Sequence, residues 1–337
     1  MFLNQKIIFI SWTKFSRHSD LLGQALGAEI FFIDNLISSR GILWKLFFLI
    51  DYFSKSFRTL KIIWKTRPAV VFIQNPPSLT AIVVVFFSKI FNFKVVVDSH
   101  NGAFERPWVS IPFHKWALDE SDLVIVHNSE LYNNLKRNPT FKDVKLKILN
   151  SRLSEFPGIT KNQNGDPYMF VITSYSGDEP VFEMMEGIRL YILDNRTELK
   201  FKITGNFNKN PDLYRKYSQV KNIEFIGFVS EIDYNSHLVN AYGVISLSTR
   251  NDVQQFALME AVGAEVPFIS SKNSTNESLF NDRMILSENN ALEIAAAIEK
   301  FVRERDRFYG NVLEIKRMQH DKWWRDFNEV KTFLSIT

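Results

Sequence analysis

Residues 243–271 read GVISLSTRNDVQQFALMEAVGAEVPFISS, and this stretch decides the fold. GVISLST (243–249) and VPFISS (266–271) are short apolar runs of strand type. Between them lie an acid, a turn and a helix carrying a second acid. The alternation extends toward the amino terminus. YMFVITS (168–174), LKFKITGN (199–206) and NIEFIGF (222–228) read as strands, whereas PVFEMMEGIRLYILDN (180–195) and the stretch through SHLVNAY (236–242) read as helices. A separate series precedes it, with strands KIIFISW (6–12), EIFFID (29–34), AVVFIQ (69–74), KVVVDSH (94–100) and DLVIVHNS (122–129). Its helices fall on DLLGQALG (20–27) and from about Gly41 to Thr66, the second stopping before Pro68 because proline disfavours helical geometry at Arg67. NPPS (75–78) is a tight turn whose Ser78 is expected to cap the next helix.

Apolar strands alternating with amphipathic helices imply parallel sheets covered on both faces. The polar, turn-rich run SRLSEFPGITKNQNGDP (151–167) separates the two series. The expected architecture is therefore α/β, with two Rossmann-like doubly wound parallel-sheet domains over residues 1–155 and 165–315 facing across a cleft. Residues 316–337, through Trp323 and Trp324, are expected to form a helical segment packing across both. Ligands of such sheets gather at the carboxyl ends of the strands, so the candidate site residues lie at 98–101, 174–179, 204–206 and 249–252.

The 337 residues suffice for two cores, and the composition, 45% hydrophobic and 23% charged, is that of a folded protein. The absence of cysteine removes thiol catalysis and thiolate metal sites and fits a reducing cytosol. A net charge of +4 is too weak to argue for nucleic acid. The apolar run IIFI after Lys6 is too short for a signal peptide, and no segment reaches the roughly 20 apolar residues of a spanning helix.

Asp252 and Glu260 carry the chemistry. With the helix starting near Gln254, the amides of Val253, Gln254, Gln255 and Phe256 lack intrahelical partners and favour an anion. Glu260 then follows about two turns into the helix at ~1.5 Å per residue. A carboxylate accepts hydrogen bonds from two neighbouring hydroxyls, so the pair suits a polyhydroxylated, diphosphate-bearing ligand. The plainer alternative is that Asp252 caps the helix and Glu260 is a solvated helix residue.

The run from Asn222 to Ser271 resembles the carboxyl-terminal, donor-binding half of GT-B glycosyltransferases of the retaining group 1 type. The family's strand ending in Gly-Phe/Tyr-Val matches Gly227, Phe228 and Val229, and its acid-x7-acid signature falls on Asp252 and Glu260. Its Gly-Pro exit appears as Glu265-Val266-Pro267, without the glycine. FKITGN is similar to the strand and turn approaching the donor phosphates, with Gly205 at the matching glycine. His100 falls where many members place a histidine facing the donor sugar. The resemblance implies that Glu260 binds the nucleotide ribose and Asp252 the hydroxyls of the transferred sugar. It also implies that amides after Asp252 hold sugar and phosphate, while Phe228 and Val229 border the base. Many members carry an arginine and a lysine after the first strand of the second domain; TSYSGDEPVFEMMEG has neither, leaving Arg250, Lys209 or Arg17 as substitutes. TSYSGDEP is similar instead to the β-mannosyltransferase that adds the first mannose to dolichol-linked chitobiose, which implies an inverting enzyme with a lipid acceptor.

The implied activity is transfer of a hexosyl group from a nucleotide diphosphate sugar to a glycan or lipid-linked acceptor. A nucleotide-sugar epimerase of the same fold and a catalytically silent scaffold subunit remain open readings. No Asp-x-Asp occurs, so neither a metal at the diphosphate nor any other cofactor is expected. The absence of GxGxxG after the first strand disfavours a dinucleotide oxidoreductase. His18, His114, His127, His237 and His320 lack HExxH spacing and read as structural or solvated; Asp98 reads as a general base or a turn cap. The segment from Gly41 to Arg67 combines Trp44, Phe47, Phe48, Phe53, Phe57 and Trp64 with Lys55, Arg58, Lys61 and Lys65. It reads as an interfacial helix placing a cytoplasmic protein against the inner face of an anionic membrane, or as a helix with its aromatics on the domain core.

Overall fold

The computed structural model of the chain describes residues 5–36, 44–161, 165–195 and 197–336, with backbone alone for 44–48. Expectations resting on Gly41 and on the side chains of Trp44, Phe47 and Phe48 lie outside the described residues. There are two compact units, Met1–Arg152 with Trp323–Thr337, and Leu153–Lys322.

The first unit is built on β1 (Ile7–Ser11), β2 (Glu29–Phe32), β3 (Val70–Asn75), β4 (Lys94–Ser99), β5 (Leu123–Val126) and β6 (Leu146–Ile148). They form one parallel sheet in the order β2-β1-β3-β4-β5-β6. Its helices are α1 (Arg17–Ala25), α2 (Trp44–Thr66), α3 (Ser78–Phe91), α4 (His114–Glu120) and α5 (Ser129–Arg137). The second unit holds β7 (Tyr168–Val171), β8 (Lys200–Thr204), β9 (Ile223–Gly227), β10 (Gly243–Ser246), β11 (Phe268–Ser271) and β12 (Ile285–Ser287). Around them lie α6 (Val181–Asn195), α7 (Pro211–Tyr217), α8 (Glu231–Val239), α9 (Phe256–Gly263), α10 (Ser274–Phe280) and α11 (Ala291–Arg303). A last helix, α12 (Arg305–Leu334), begins in the second unit, and its residues from Trp323 onward belong to the first.

The strand sequences explain the layering. Successive side chains of a strand face opposite ways. In β1, Ile8 and Ile10 join Val71, Ile73, Val95 and Ile63 in one layer, while Ile7 and Phe9 join Leu22, Trp323, Phe327 and Val330 in the other. Both faces are therefore apolar, which is why the strands read as unbroken hydrophobic runs. The second sheet runs β12-β11-β10-β7-β8-β9, all parallel. The chain lays β7, β8 and β9 to one side and returns to lay β10, β11 and β12 on the other. Its direction of winding reverses between β7 and β10, the position where such sheets open a ligand crevice. On the flank α6 packs closely on α11: a Cβ at Gly187 would stand 2.7 Å from Ile294 Cγ2 and 2.9 Å from the Ala291 carbonyl.

Three local expectations change. Ser78 is the first residue of α3, not its cap; Pro77 precedes it, and the Ser78 hydroxyl donates to the Trp108 carbonyl at 3.2 Å. The acid-bearing helix begins at Phe256, two residues later than expected. In α2, Lys55 is buried, paired with Asp51 at 2.9 Å, and so leaves the basic face. Phe53, Phe57 and Trp64 are 77%, 62% and 64% exposed, so these aromatics do not pack on the core.

Candidate functional site

The segments leaving β7 and β10 meet at the reversal of the second sheet. After β7, the Glu179 carboxylate accepts from the amides of Ser174 (2.9 Å) and Ser176 (3.2 Å) and from the Thr173 hydroxyl (2.6 Å). The turn is thus closed by its own acid where the family resemblance leads one to expect cations. Lys209 stands beside it, donating to the Ser174 carbonyl at 2.9 Å. Asp178 ties this turn to the exit of β10: the Thr249 amide donates to its carbonyl at 2.7 Å and the Ser248 hydroxyl to its carboxylate at 3.3 Å. Gly205, at the end of β8, has φ +92°, and a Cβ there would lie 2.1 Å from the Thr173 carbonyl oxygen. Only glycine lets β8 exit so near the β7 turn.

Asp252 follows β10 and is held by Arg250, whose Nη2 lies 3.1 and 3.2 Å from the two carboxylate oxygens and whose Nε lies 3.2 Å from Oδ1. Both side chains keep about a quarter of their surface in water, at 28% and 27% exposure. Arg250, expected to serve a diphosphate, is therefore engaged by the first acid. Glu260 is buried on α9, and its Oε2 accepts from the Tyr234 hydroxyl at 2.7 Å. Tyr234, on α8, carries no local signal in the sequence; only the packing of α8 on α9 reveals it. Val253, Gln254 and Gln255 precede α9, so its first helical amide is that of Phe256. The Gln255 side chain bridges Ser246 (3.1 Å) and Ser270 (3.0 Å), and Gln254 Nε2 meets the Met259 sulfur at 3.3 Å. Beneath them Ser246, Ser248, Ser270, Ser271 and Asn276 form a buried polar floor, in which Asn276 donates to Ser270 at 3.0 Å. Phe228, directly after β9, is 74% exposed, and Val229 is half-buried.

A second constellation lies within the first unit. His18 lies in the first turn of α1, Asp98 near the end of β4 with His100 just beyond it, and His127 follows β5. Asp98 is fully buried, with His18 Nε2 3.1 Å from Oδ2, His127 Nε2 3.1 Å from Oδ1 and His100 Nε2 4.0 Å from Oδ2. Burial pushes the Asp98 carboxyl up, but the His18 and His127 imidazoles outweigh that and hold it well below the ordinary carboxylate range. Burial, reinforced by the charge of the other two rings, pushes His100 down to about 3. Burial opposes charge on His127 as well, yet the adjacent Asp98 carboxylate raises that ring above its ordinary value. Asp98 is thus neither a plain turn cap nor alone. His18 and His127, read singly as structural or solvated, belong to one buried cluster. The signal that finds them is positional: His100 and His127 stand directly beyond β4 and β5, and His18 in the first turn of the helix that follows β1.

Residues 181–304, a little over a third of the chain, match the family described as glycosyl transferases group 1. No protein of curated function matches the sequence. Among solved structures, the chain is similar to sucrose-phosphate synthase from Thermosynechococcus elongatus, with a TM-score of 0.70, 12% identity, and 97% of this chain and 98% of that one covered. It is similar to Anabaena HepE in complex with UDP-glucose, with a TM-score of 0.71, 11% identity and coverage of 99% and 100%. It is also similar to a protein described as a UDP-N-acetylglucosamine 2-epimerase from Listeria monocytogenes, with a TM-score of 0.66, 13% identity and coverage of 99% and 98%. Two six-stranded parallel sheets with flanking helices give the chain the two-domain, Rossmann-like GT-B fold. Within that fold, residues 181–304 carry the group 1 glycosyltransferase match.

Proposed function

We propose that the chain transfers a hexosyl group from a nucleoside diphosphate sugar to a hydroxyl of a glycan or lipid-linked acceptor. The observation that carries this reading is the buried Glu260 on the helix that follows Asp252, at the carboxyl end of β10 and beside the reversal of the sheet. Glu260, braced by Tyr234, accepts from the ribose diol, and Asp252, braced by Arg250, accepts from hydroxyls of the transferred sugar. Gly205 gives the phosphates a close approach to backbone, and the exposed ring of Phe228, with Val229, borders the base. The segment Val253–Phe256 lies against sugar and phosphate, where the amino end of α9 favours an anion. Lys209 supplies positive charge to the leaving diphosphate. Similar structures bind UDP and UDP-glucose, which supports a nucleotide sugar as donor.

A lipid-linked acceptor fits the outer face of α2. Leu49, Phe53, Phe57 and Trp64 are exposed there, flanked by exposed Arg58, Lys61 and Lys65. Among the described residues no helix is long and apolar enough to cross a membrane, so the proposed association is interfacial. The test is incubation of the purified chain with a panel of nucleoside diphosphate hexoses, with and without lipid-linked and glycan acceptors. Acceptor-dependent release of the nucleoside diphosphate supports transfer. Sugar interconversion without acceptor assigns the chain to epimerisation, and no turnover with any donor to a silent scaffold; either result overturns the proposal.

A further inference from the structure

The cluster around Asp98 gathers four metal-ligating side chains in one small space. The rings of His18, His100 and His127 stand at the corners of a nearly equilateral triangle, with centroid separations of 4.9, 4.6 and 4.8 Å. Their inward nitrogens and the Asp98 carboxylate offer four ligand atoms within 4.8 Å of one another. His127 Nδ1 lies 3.0 Å from the Leu149 carbonyl, which can only accept, so Nδ1 carries the proton and the neutral ring turns its Nε2 lone pair inward. His127 Nε2 stands 3.1 Å from Asp98 Oδ1, a spacing at which the two atoms either share a proton or face one cation. His100 Nε2 is buried and makes no hydrogen bond. A proton on His127 Nε2 would ease one repulsion and leave His100 unsatisfied. An electron-pair acceptor at the centre satisfies all of them.

We infer that His18, Asp98, His100 and His127 bind one divalent cation of the zinc class in an N3O set supplied by the first turn of α1 and the carboxyl ends of β4 and β5. Zinc takes imidazole and carboxylate ligands at about 2.0–2.2 Å in tetrahedral geometry, which places ligand atoms roughly 3.3 Å apart. The 3.1 Å from His18 Nε2 to Asp98 Oδ2 already matches, the 4.0 Å from His100 Nε2 to the same oxygen closes with a small ring movement, and His127 Nε2 stands 3.1 Å from the other oxygen, Oδ1. His127 has the backbone carbonyl partner that metal-bound histidines commonly have on their other nitrogen. His100, whose side chain is 34% exposed, provides the way in. The cation would pin the segments after three strands and make His100 a ligand, not a group free to face a sugar. The site lies wholly within the first unit and stands or falls apart from the donor reading.

The test uses the full chain, stripped with a chelator and titrated with cobalt(II) and zinc(II). The expected result is one metal per chain by elemental mass spectrometry, the intense visible bands of four-coordinate cobalt, and displacement of cobalt by zinc. His18→Ala and His127→Ala should each weaken zinc binding by more than the roughly 10- to 100-fold that loss of an outer partner costs. His100→Ala removes a partly exposed ring, so it serves if the other two variants fail to fold; it should abolish the four-coordinate spectrum. His320→Ala, on the exposed face of α12, should change nothing. Substoichiometric metal, the weak spectrum of hydrated cobalt, or unchanged affinity in His100→Ala would overturn the site.

Discussion

In the proposed reaction Glu260 holds the donor through one buried carboxylate. Glu260→Gln keeps an oxygen to accept from Tyr234, so the fold should hold, while one acceptor for a diol becomes a donor. Loss of a charge-assisted hydrogen bond costs about 1.5–3 kcal/mol, which is roughly tenfold or more in affinity. Calorimetry should show that loss for a nucleoside diphosphate sugar; unchanged affinity removes Glu260 from the site. Asp252→Asn should act differently, because Asp252 is assigned to the sugar being transferred. Turnover is expected to fall more than affinity for the bare nucleoside diphosphate, and the reverse pattern would exchange the two roles. Gly205→Ala combines a positive φ with a 2.1 Å approach to the Thr173 carbonyl, so it should destabilise by about 1–3 kcal/mol or more and disturb the β7 turn. A thermal melt as stable as that of the parent chain would show that the two turns separate easily. The acids were legible because a strand, a turn and a helix place them locally. Asp98 and its histidines were not, since His18 and Asp98 stand 80 residues apart and only the sheet order brings them together.

The helices show where periodicity suffices and where partners decide. Asn128 caps α5, accepting from the Leu131 amide at 2.7 Å. Asn128→Ala should therefore cost about 1 kcal/mol, read as a lowered unfolding midpoint. The amphipathic character of α2 was legible, but the inward turn of Lys55 was not, because it depends on Asp51 and on Asn35 from the preceding segment. Ser78 likewise reads as a cap until the turn before it places Pro77 in that position. The outer face of α2 gives a direct expectation. Phe53→Asp with Phe57→Asp leaves the core untouched, since both rings face outward, and should abolish flotation with anionic liposomes. Burying an aromatic ring of this size is worth about 1.5–3 kcal/mol, so losing two predicts a drop in partitioning of roughly a hundredfold or more. Equal recovery of variant and parent with the liposomes would detach α2 from any membrane role.

The molecule as a whole repeats one device. Each unit is a parallel six-stranded sheet whose candidate site residues gather toward the carboxyl ends of the strands, where polar residues can leave the apolar core. That pattern was readable from the alternation of apolar runs. β12 is not legible in the sequence, because it has only three residues and a run that short does not distinguish a strand from part of a buried helix. The sequence also offered no sign of Glu179 closing the β7 turn, a contact made only once α6 begins beside it. The account rests on donor sugar held by Asp252 and Glu260 and passed to an acceptor. The most direct test is mass spectrometry of the acceptor after incubation with nucleoside diphosphate hexoses, comparing the parent chain with Asp252→Asn and Glu260→Gln. The account predicts one added hexosyl unit on the acceptor for the parent, matched by released nucleoside diphosphate, and strongly reduced transfer for both variants. Full transfer by both variants, or nucleotide release by the parent with no gain on any acceptor, would contradict it.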